Sequence, residues 1–142
     1  MNDDNFTFSH PLRVRWGECD AQGIVFNVNY FLYFDVAMTE WMRALGFDAG
    51  NQVDFFTVHA EADYRAPAKF DDMLEVKARC VRLGTKSMTI RTAIYRSDEL
   101  LAEGLLTYVY STGGAGETAP LPPAFVERVL AYEKTPPERK SM

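Results

Sequence analysis

Asp20 is the residue whose type and setting most readily support chemistry. It lies in Gly17-Glu18-Cys19-Asp20-Ala21-Gln22-Gly23, a turn punctuated by glycines, where backbone can approach a ligand closely. A few residues on, from about Val28, begins the longest and most apolar helical pattern in the chain. A helix N-terminus points unbonded amides outward and so favours a developing negative charge. A carboxylate placed just before such a start can serve the same reacting atom as base or nucleophile. By position alone Asp20 would be a turn or capping aspartate. Its place between two glycines, seven residues before Asn27, favours the catalytic reading. Cys19 is a nucleophile by type, but no histidine or other base lies near it in sequence, so it reads as structural.

A second cluster of chemical interest is Gly84-Thr85-Lys86-Ser87, where a cation, amides and hydroxyls together suit a phosphate. Arg79 and Arg91 read as solvated strand surface, and His59 is expected to face solvent or a neighbouring strand. Asp35 and Glu40 are expected to pair with Arg43 or another buried partner. No metal-ligand spacing exists, because the only histidines, His10 and His59, are far apart.

The elements that must position these residues follow from periodicity. Leu12, Val14 and Trp16 alternate with Arg13, Arg15 and Gly17 in a half-buried strand from Pro11, after a frayed polar segment 1–7. The helix is expected from Val28 to Leu45, with Tyr30, Phe34, Ala37, Met38, Trp41 and Leu45 at three- and four-residue steps. Phe31, Leu32 and Val36 widen its apolar surface, so it should be surrounded rather than laid on a surface. Asn27 and Asn29 are candidate caps at its start and Gly46 a candidate stop. Alternating segments then follow: Val58 to Tyr64, Leu74 to Cys80, Met88 to Ile94 and Leu100 to Tyr110, linked by short turns that imply an antiparallel meander. After a loose Gly113-Gly114-Ala115-Gly116 loop, Pro122 or Pro123 opens a short amphipathic helix carrying Phe125, Val129 and Tyr132, and the tail after Lys134 reads as disordered. One sheet curling around one long helix gives an α+β domain.

The 142 residues suit a single domain (1–142, core about 9–134, flexible termini). A formal net charge of −5 argues against nucleic acid as the main partner. Two cysteines are too few for a disulfide framework. There is no signal-peptide pattern and no apolar run that approaches a membrane span, so the expected compartment is the cytoplasm, without membrane insertion.

With those residues in view, GECDAQGIVFNVNYFLYFDVAMTEWMRALGF resembles the signature of the 4-hydroxybenzoyl-CoA thioesterase family, including its Tol–Pal-associated acyl-CoA members, within the hotdog-fold superfamily. DYRAPAKFDDMLEVKARCVRLGTKSMTIR resembles the second half of the same pattern, and the likeness covers roughly residues 9–110. The resemblance implies a curved antiparallel sheet of about five strands wrapped around a long central helix. It implies hydrolysis of an acyl-CoA thioester at a subunit interface, with no metal or cofactor beyond the CoA of the substrate, and a homo-oligomer formed by sheet extension, often a tetramer. Asp20 would be nucleophile or general base, with Gly23 in its turn, and the backbone N–H of Asn27 would polarise the thioester carbonyl. Phe26, Asn29, Tyr30 and Tyr64, with Phe34, would surround the acyl group, aromatic or aliphatic. Gly84, Thr85, Lys86 and Ser87 would meet the nucleotide phosphates of CoA. Relatives carry His or Tyr where this chain has Asn27; the amide donor survives, but a side-chain acid is lost.

Two other readings compete. A hydratase or dehydratase on the same fold needs a histidine base in the helix or its entry loop, where this chain has none. A non-catalytic binder of acyl-CoA or an aromatic ligand is encouraged only by Asn27.

Overall fold

The computed structural model describes residues 5–47, 54–112 and 117–139. The Gly113–Gly116 loop expected from sequence lies outside the described residues. In chain order the elements are β1 (Phe8–Arg13), a 3-10 turn (Trp16–Glu18), α1 (Asn29–Ala44), β2 (Phe55–Tyr64), β3 (Met73–Leu83), β4 (Ser87–Arg96), β5 (Glu99–Tyr110), α2 (Pro123–Tyr132) and β6 (Glu138–Arg139). The strand order is β1-β3-β4-β5-β2, with β6 paired to β3 outside this path.

The three- and four-residue apolar spacing of α1 buries Tyr30, Tyr33, Phe34, Ala37, Met38, Trp41 and Met42. The alternation in β3 and β4 buries Leu74, Val76, Ala78 and Cys80 and then Met88, Ile90, Thr92 and Ile94. These two sets form the core, and burial pushes the Cys80 thiol up to about 12. On β5, Gly104 leaves room for the helix: an added Cβ there would lie 2.7 Å from the Phe34 ring. Gly46 ends α1 with φ +99°: the Gly46 N–H donates to the Arg43 carbonyl (3.0 Å) and the Phe47 N–H to the Met42 carbonyl (3.0 Å).

Several expectations need correction. β3, β4 and β5 form the expected meander, but β1 and β2 sit on opposite edges of it. The chain crosses the sheet face as α1 between those two strands, so sequence neighbours do not pair. β1 begins at Phe8, not Pro11, and Trp16 leaves the strand to open the 3-10 turn, 62% exposed. The segment before β1 is not frayed at Phe6, which is buried on the outer sheet face with Ala93 and Tyr95. Nor is the tail free after Lys134, whose N–H donates to Thr7 Oγ1 (2.9 Å), while Arg82 and Leu83 pair in parallel with Glu138 and Arg139. Polar composition signals solvent exposure, but backbone groups pair whatever their side chains. Finally, α1 is not surrounded on all sides within one chain, since Val28, Phe31 and Leu32 are exposed.

α2 starts as expected, with Pro122 as cap and Pro123 in the first turn. Just past its end, the buried Glu133 carboxylate accepts Trp41 Nε1–H (2.9 Å) and the Cys80 N–H (2.9 Å). Burial raises this carboxyl, against the opposing pull of those two donors. Among the described residues, no helix is long and apolar enough to cross a membrane.

Candidate active site

Asp20 stands on a miniature hairpin. Cys19 bridges Val25, the Asp20 N–H donates to the Ile24 carbonyl (2.9 Å), and the Gly23 N–H closes the turn on the Asp20 carbonyl (3.0 Å). Gly23 has φ +79°, a backbone region that side chains resist, so its part is to make this turn; its amide is already engaged. The hairpin is fastened to the segment before β3 by Val25 N–H to the Ala68 carbonyl (2.9 Å) and Phe70 N–H to the Gly23 carbonyl (2.9 Å). Asp20 is half-buried, and its Oδ1 accepts the Gln22 N–H (2.8 Å). Its Oδ2 has no hydrogen bond among the described residues.

The same hairpin delivers the chain to α1. The N–H groups of Asn29, Tyr30 and Phe31 donate to the carbonyls of Phe26 (2.8 Å), Asn27 (3.3 Å) and Val28 (3.1 Å). The N–H groups of Asn27 and Val28 have no acceptor among the described residues. Neither expected cap acts as one: the cap position is Val28, without a side-chain hydrogen bond. Asn29 instead turns its Nδ2–H to the Glu18 carbonyl (2.8 Å), tying the helix to the Asp20 hairpin. The N–H groups that a capping side chain would take, those of Tyr30 and Phe31, are bonded to backbone carbonyls, and the open amides are those of Asn27 and Val28 just before them.

Glu18 is the hub of this arrangement. Its carbonyl also accepts the Phe26 N–H (3.0 Å), and its buried carboxylate accepts the Arg15 N–H (2.9 Å), the Arg15 guanidinium and the Tyr33 hydroxyl (2.8 Å). Burial pushes the carboxyl up, but these donors outweigh it and hold Glu18 below the usual carboxylate range. Burial and the hydrogen bond to Glu18 push the Tyr33 hydroxyl well above its ordinary value.

Beside the helix start opens a cleft of about 350 Å³ lined by Ile24, Val25, Asn27, Tyr30, Tyr64, Arg65, Ala66 and Pro67. Tyr30 and Tyr64 meet edge-on, their ring centroids 5.2 Å apart. The Tyr30 hydroxyl accepts the Ala68 N–H (2.9 Å), and the Tyr64 hydroxyl donates to the Asn27 carbonyl (3.0 Å). Asp20 flanks the cleft beside Ile24 rather than lining it. Of the other expected pocket residues, Phe26 is exposed next to Asn27, while Phe34 is fully buried in the core and lines no cleft.

The Gly84–Ser87 turn lies elsewhere. The Gly84 N–H donates to the Ser87 carbonyl (2.8 Å), the Leu121 N–H to the Thr85 carbonyl (2.9 Å), and Lys86 Nζ to Thr118 Oγ1 (3.3 Å). β4 runs ten residues from this turn to Arg96, which bonds the Pro67 carbonyl beside the cleft. At about 3.3 Å per residue, the turn is roughly 30 Å from the cleft within one chain.

Sequence reasoning missed Arg65, which lies at the cleft mouth and shares the Glu103 carboxylate with Arg91. It also missed Tyr33 as a partner of Glu18. The Glu-then-aromatic spacing of Glu18 and Tyr33 spans a loop, so no periodicity could pair them. Elsewhere Cys19 is half-buried with its thiol raised, chiefly by burial, and His59 pairs with Glu61 (2.8 Å) on the exposed face of β2. Glu40 pairs with Arg43 (3.1 Å), as expected, whereas Asp35 is exposed rather than buried with a partner.

A family profile described as the thioesterase superfamily matches residues 22–103. A candidate esterase of Aquifex aeolicus is 32% identical over 100 residues, which are 68% of this chain and 78% of that protein. The acyl-CoA thioester hydrolase YbgC of Escherichia coli is 29% identical over 98 residues, 66% of this chain and 73% of that one. Among solved structures, a Thermus thermophilus thioesterase complexed with coenzyme A and Zn superposes with a TM-score of 0.86 at 29% identity, covering 94% of this chain and 99% of that chain.

Proposed function

The chain belongs to the thioesterase superfamily and has the hotdog fold, and we propose that it hydrolyses an acyl-CoA thioester to a free acid and CoA. The observation that carries this reading is the pair of open amides at Asn27 and Val28, the first of them on a residue that lines the cleft, beside the half-buried Asp20 carboxylate. A thioester carbonyl placed at the helix start would meet the Asn27 N–H, which stabilises the oxyanion as the tetrahedral intermediate forms. Asp20 then acts in one of two ways. As a base it takes a proton from water, whose oxygen bonds to the acyl carbon while the C–S bond breaks and CoA thiolate leaves. As a nucleophile its carboxylate oxygen bonds to the acyl carbon, the C–S bond breaks and CoA thiolate leaves, and water then opens the mixed anhydride to the free acid and Asp20. Both routes use only the carboxylate, the amides and water.

Tyr30, Tyr64, Ile24 and Pro67 offer an apolar wall for the acyl group, aromatic or aliphatic. We further propose that the exposed Val28, with Phe31 and Leu32 of α1 and edge strand β2, pairs with a second copy, building the homo-oligomer that the family resemblance implies. A CoA phosphate contact by Lys86 then serves the cleft of another subunit, because the length of β4 separates the two by roughly 30 Å within one chain.

The direct experiment presents short, long and aromatic acyl-CoAs and follows free thiol with a chromogenic reagent. Turnover of at least one class supports the reading. Tight CoA-thioester binding without thiol release would replace it with the binder.

A further inference from the structure

Resting on that reading, we propose that Tyr64 is a positioning residue for the reaction: its hydroxyl fixes the Asn27–Val28 peptide at the entrance to α1, while its ring separately walls the acyl cleft. No side chain caps this helix, and the carbonyl of Asn27 receives only a long hydrogen bond from within the first turn, from the Tyr30 N–H at 3.3 Å. The shorter bond to that carbonyl comes from Tyr64 Oη at 3.0 Å. Tyr64 is the last residue of edge strand β2, whereas α1 packs chiefly on β3, with smaller contacts to β1 and β4. The hydroxyl therefore joins the sheet edge to a helix turn otherwise tethered through Asn29 to Glu18 and through the Tyr30 hydroxyl to the Ala68 N–H.

This bond has a direct consequence for the open amides. The Asn27 carbonyl and the Val28 N–H belong to one planar, resonance-coupled peptide unit. A hydrogen bond donated to the carbonyl polarises the N–H on the other side and fixes the direction in which it points. That N–H has no acceptor among the described residues, and neither has its neighbour on Asn27. Tyr64 thus fixes the peptide that directly follows the Asn27 N–H assigned to the oxyanion, and with it the second open N–H of the helix start, without touching the reacting carbonyl itself. Tyr64 is 47% exposed, so its hydroxyl can be removed without disturbing the core.

The hydroxyl and the ring are separable by mutation. Tyr64→Phe keeps the ring against Tyr30 and deletes only the bond to Asn27. Loss of one such hydrogen bond in the transition-state geometry lowers kcat by about threefold to tenfold. Expected for Tyr64→Phe is this drop in kcat, by the same factor for short, long and aromatic acyl-CoAs, with KM and melting temperature unchanged. Tyr64→Ala should show the same kcat loss together with a KM that rises with acyl size. Unchanged kcat in Tyr64→Phe, or a change confined to KM, overturns the positioning role and leaves Tyr64 as cleft wall alone. The wild-type protein in the same assay separates the two claims. Wild-type turnover with an unimpaired Tyr64→Phe sinks only the Tyr64 proposal, whereas no wild-type turnover on any acyl-CoA sinks the thioesterase reading and this proposal with it.

Discussion

Glu18→Gln removes a charge from the centre of the site while keeping the side chain's shape. The wild-type carboxylate, 7% exposed, accepts the Arg15 N–H, the Arg15 guanidinium and the Tyr33 hydroxyl. An amide offers one acceptor oxygen and turns two N–H groups toward Arg15, which has nothing to accept them. The amide oxygen can keep the partners of Oε1, the Arg15 N–H and the Tyr33 hydroxyl, but it lacks the charge that strengthens both bonds at this buried site, a loss of about 1–3 kcal/mol. The Arg15 side chain is 76% exposed, so water screens its ion pair and the pair adds little to this. Together the loss is about 2 kcal/mol, or roughly 6 °C in melting temperature for a domain of this size. Glu18 also has a pH signature. Its carboxyl is held below the usual 4.5, so its stabilisation is complete above that value and is lost as pH falls through the lower folded-state pKa. Thermal unfolding followed by circular dichroism at pH 7 and across the acid range measures both effects. The gap between wild type and variant should be about 2 kcal/mol at pH 7 and close on acidification below 4.5. A gap under 0.5 kcal/mol at pH 7, or one that widens in acid, would refute the role given to Glu18.

Glu133 should behave in the opposite sense. Its carboxyl is raised, chiefly by burial, so wild type loses stability relative to Glu133→Gln as pH rises from about 4.5 through the folded-state pKa, which paired denaturation curves will show. Gly104→Ala would place a Cβ 2.7 Å from both the Phe34 ring and Thr92 Oγ1, and should lower stability by about 1–3 kcal/mol, read as a lower urea midpoint at constant slope. Lys86→Ala should raise KM for acyl-CoA severalfold and leave unchanged the KM for acyl-pantetheine thioesters, which lack the nucleotide phosphates; equal effects on both substrates would remove Lys86 from phosphate binding.

Much of the fold was legible because its signals are periodic. The apolar spacing of Tyr30, Phe34, Ala37, Met38 and Trp41 marks α1, and the alternation in Leu74–Cys80 and Met88–Ile94 marks the strands it packs on. What sequence left hidden is set by non-local backbone pairing. Glu138 and Arg139 join the sheet through amides that carry no side-chain pattern, and β1 and β2 part company because α1 runs between them. The site divides in the same way. Asp20 and the helix start lie within one short stretch, so spacing alone brings them together, whereas the Glu18–Tyr33 and Tyr64–Asn27 bonds join residues 15 and 37 positions apart. Asn29 misleads because its side chain has two uses, and the hairpin offers it the Glu18 carbonyl in place of a cap. The Gly84–Ser87 turn matches its motif locally, but the length of β4 places it at the other end of the chain's sheet.

The most direct test of the account is the turnover of Asp20→Asn on the best acyl-CoA substrate of the wild type. Asparagine keeps the Oδ1 that accepts the Gln22 N–H, so the turn and the oligomer should survive unchanged. With the carboxylate gone, kcat should fall by at least about a hundredfold, the usual contribution of a positioned base. A folded Asp20→Asn protein that releases CoA at near wild-type rate would contradict the central claim.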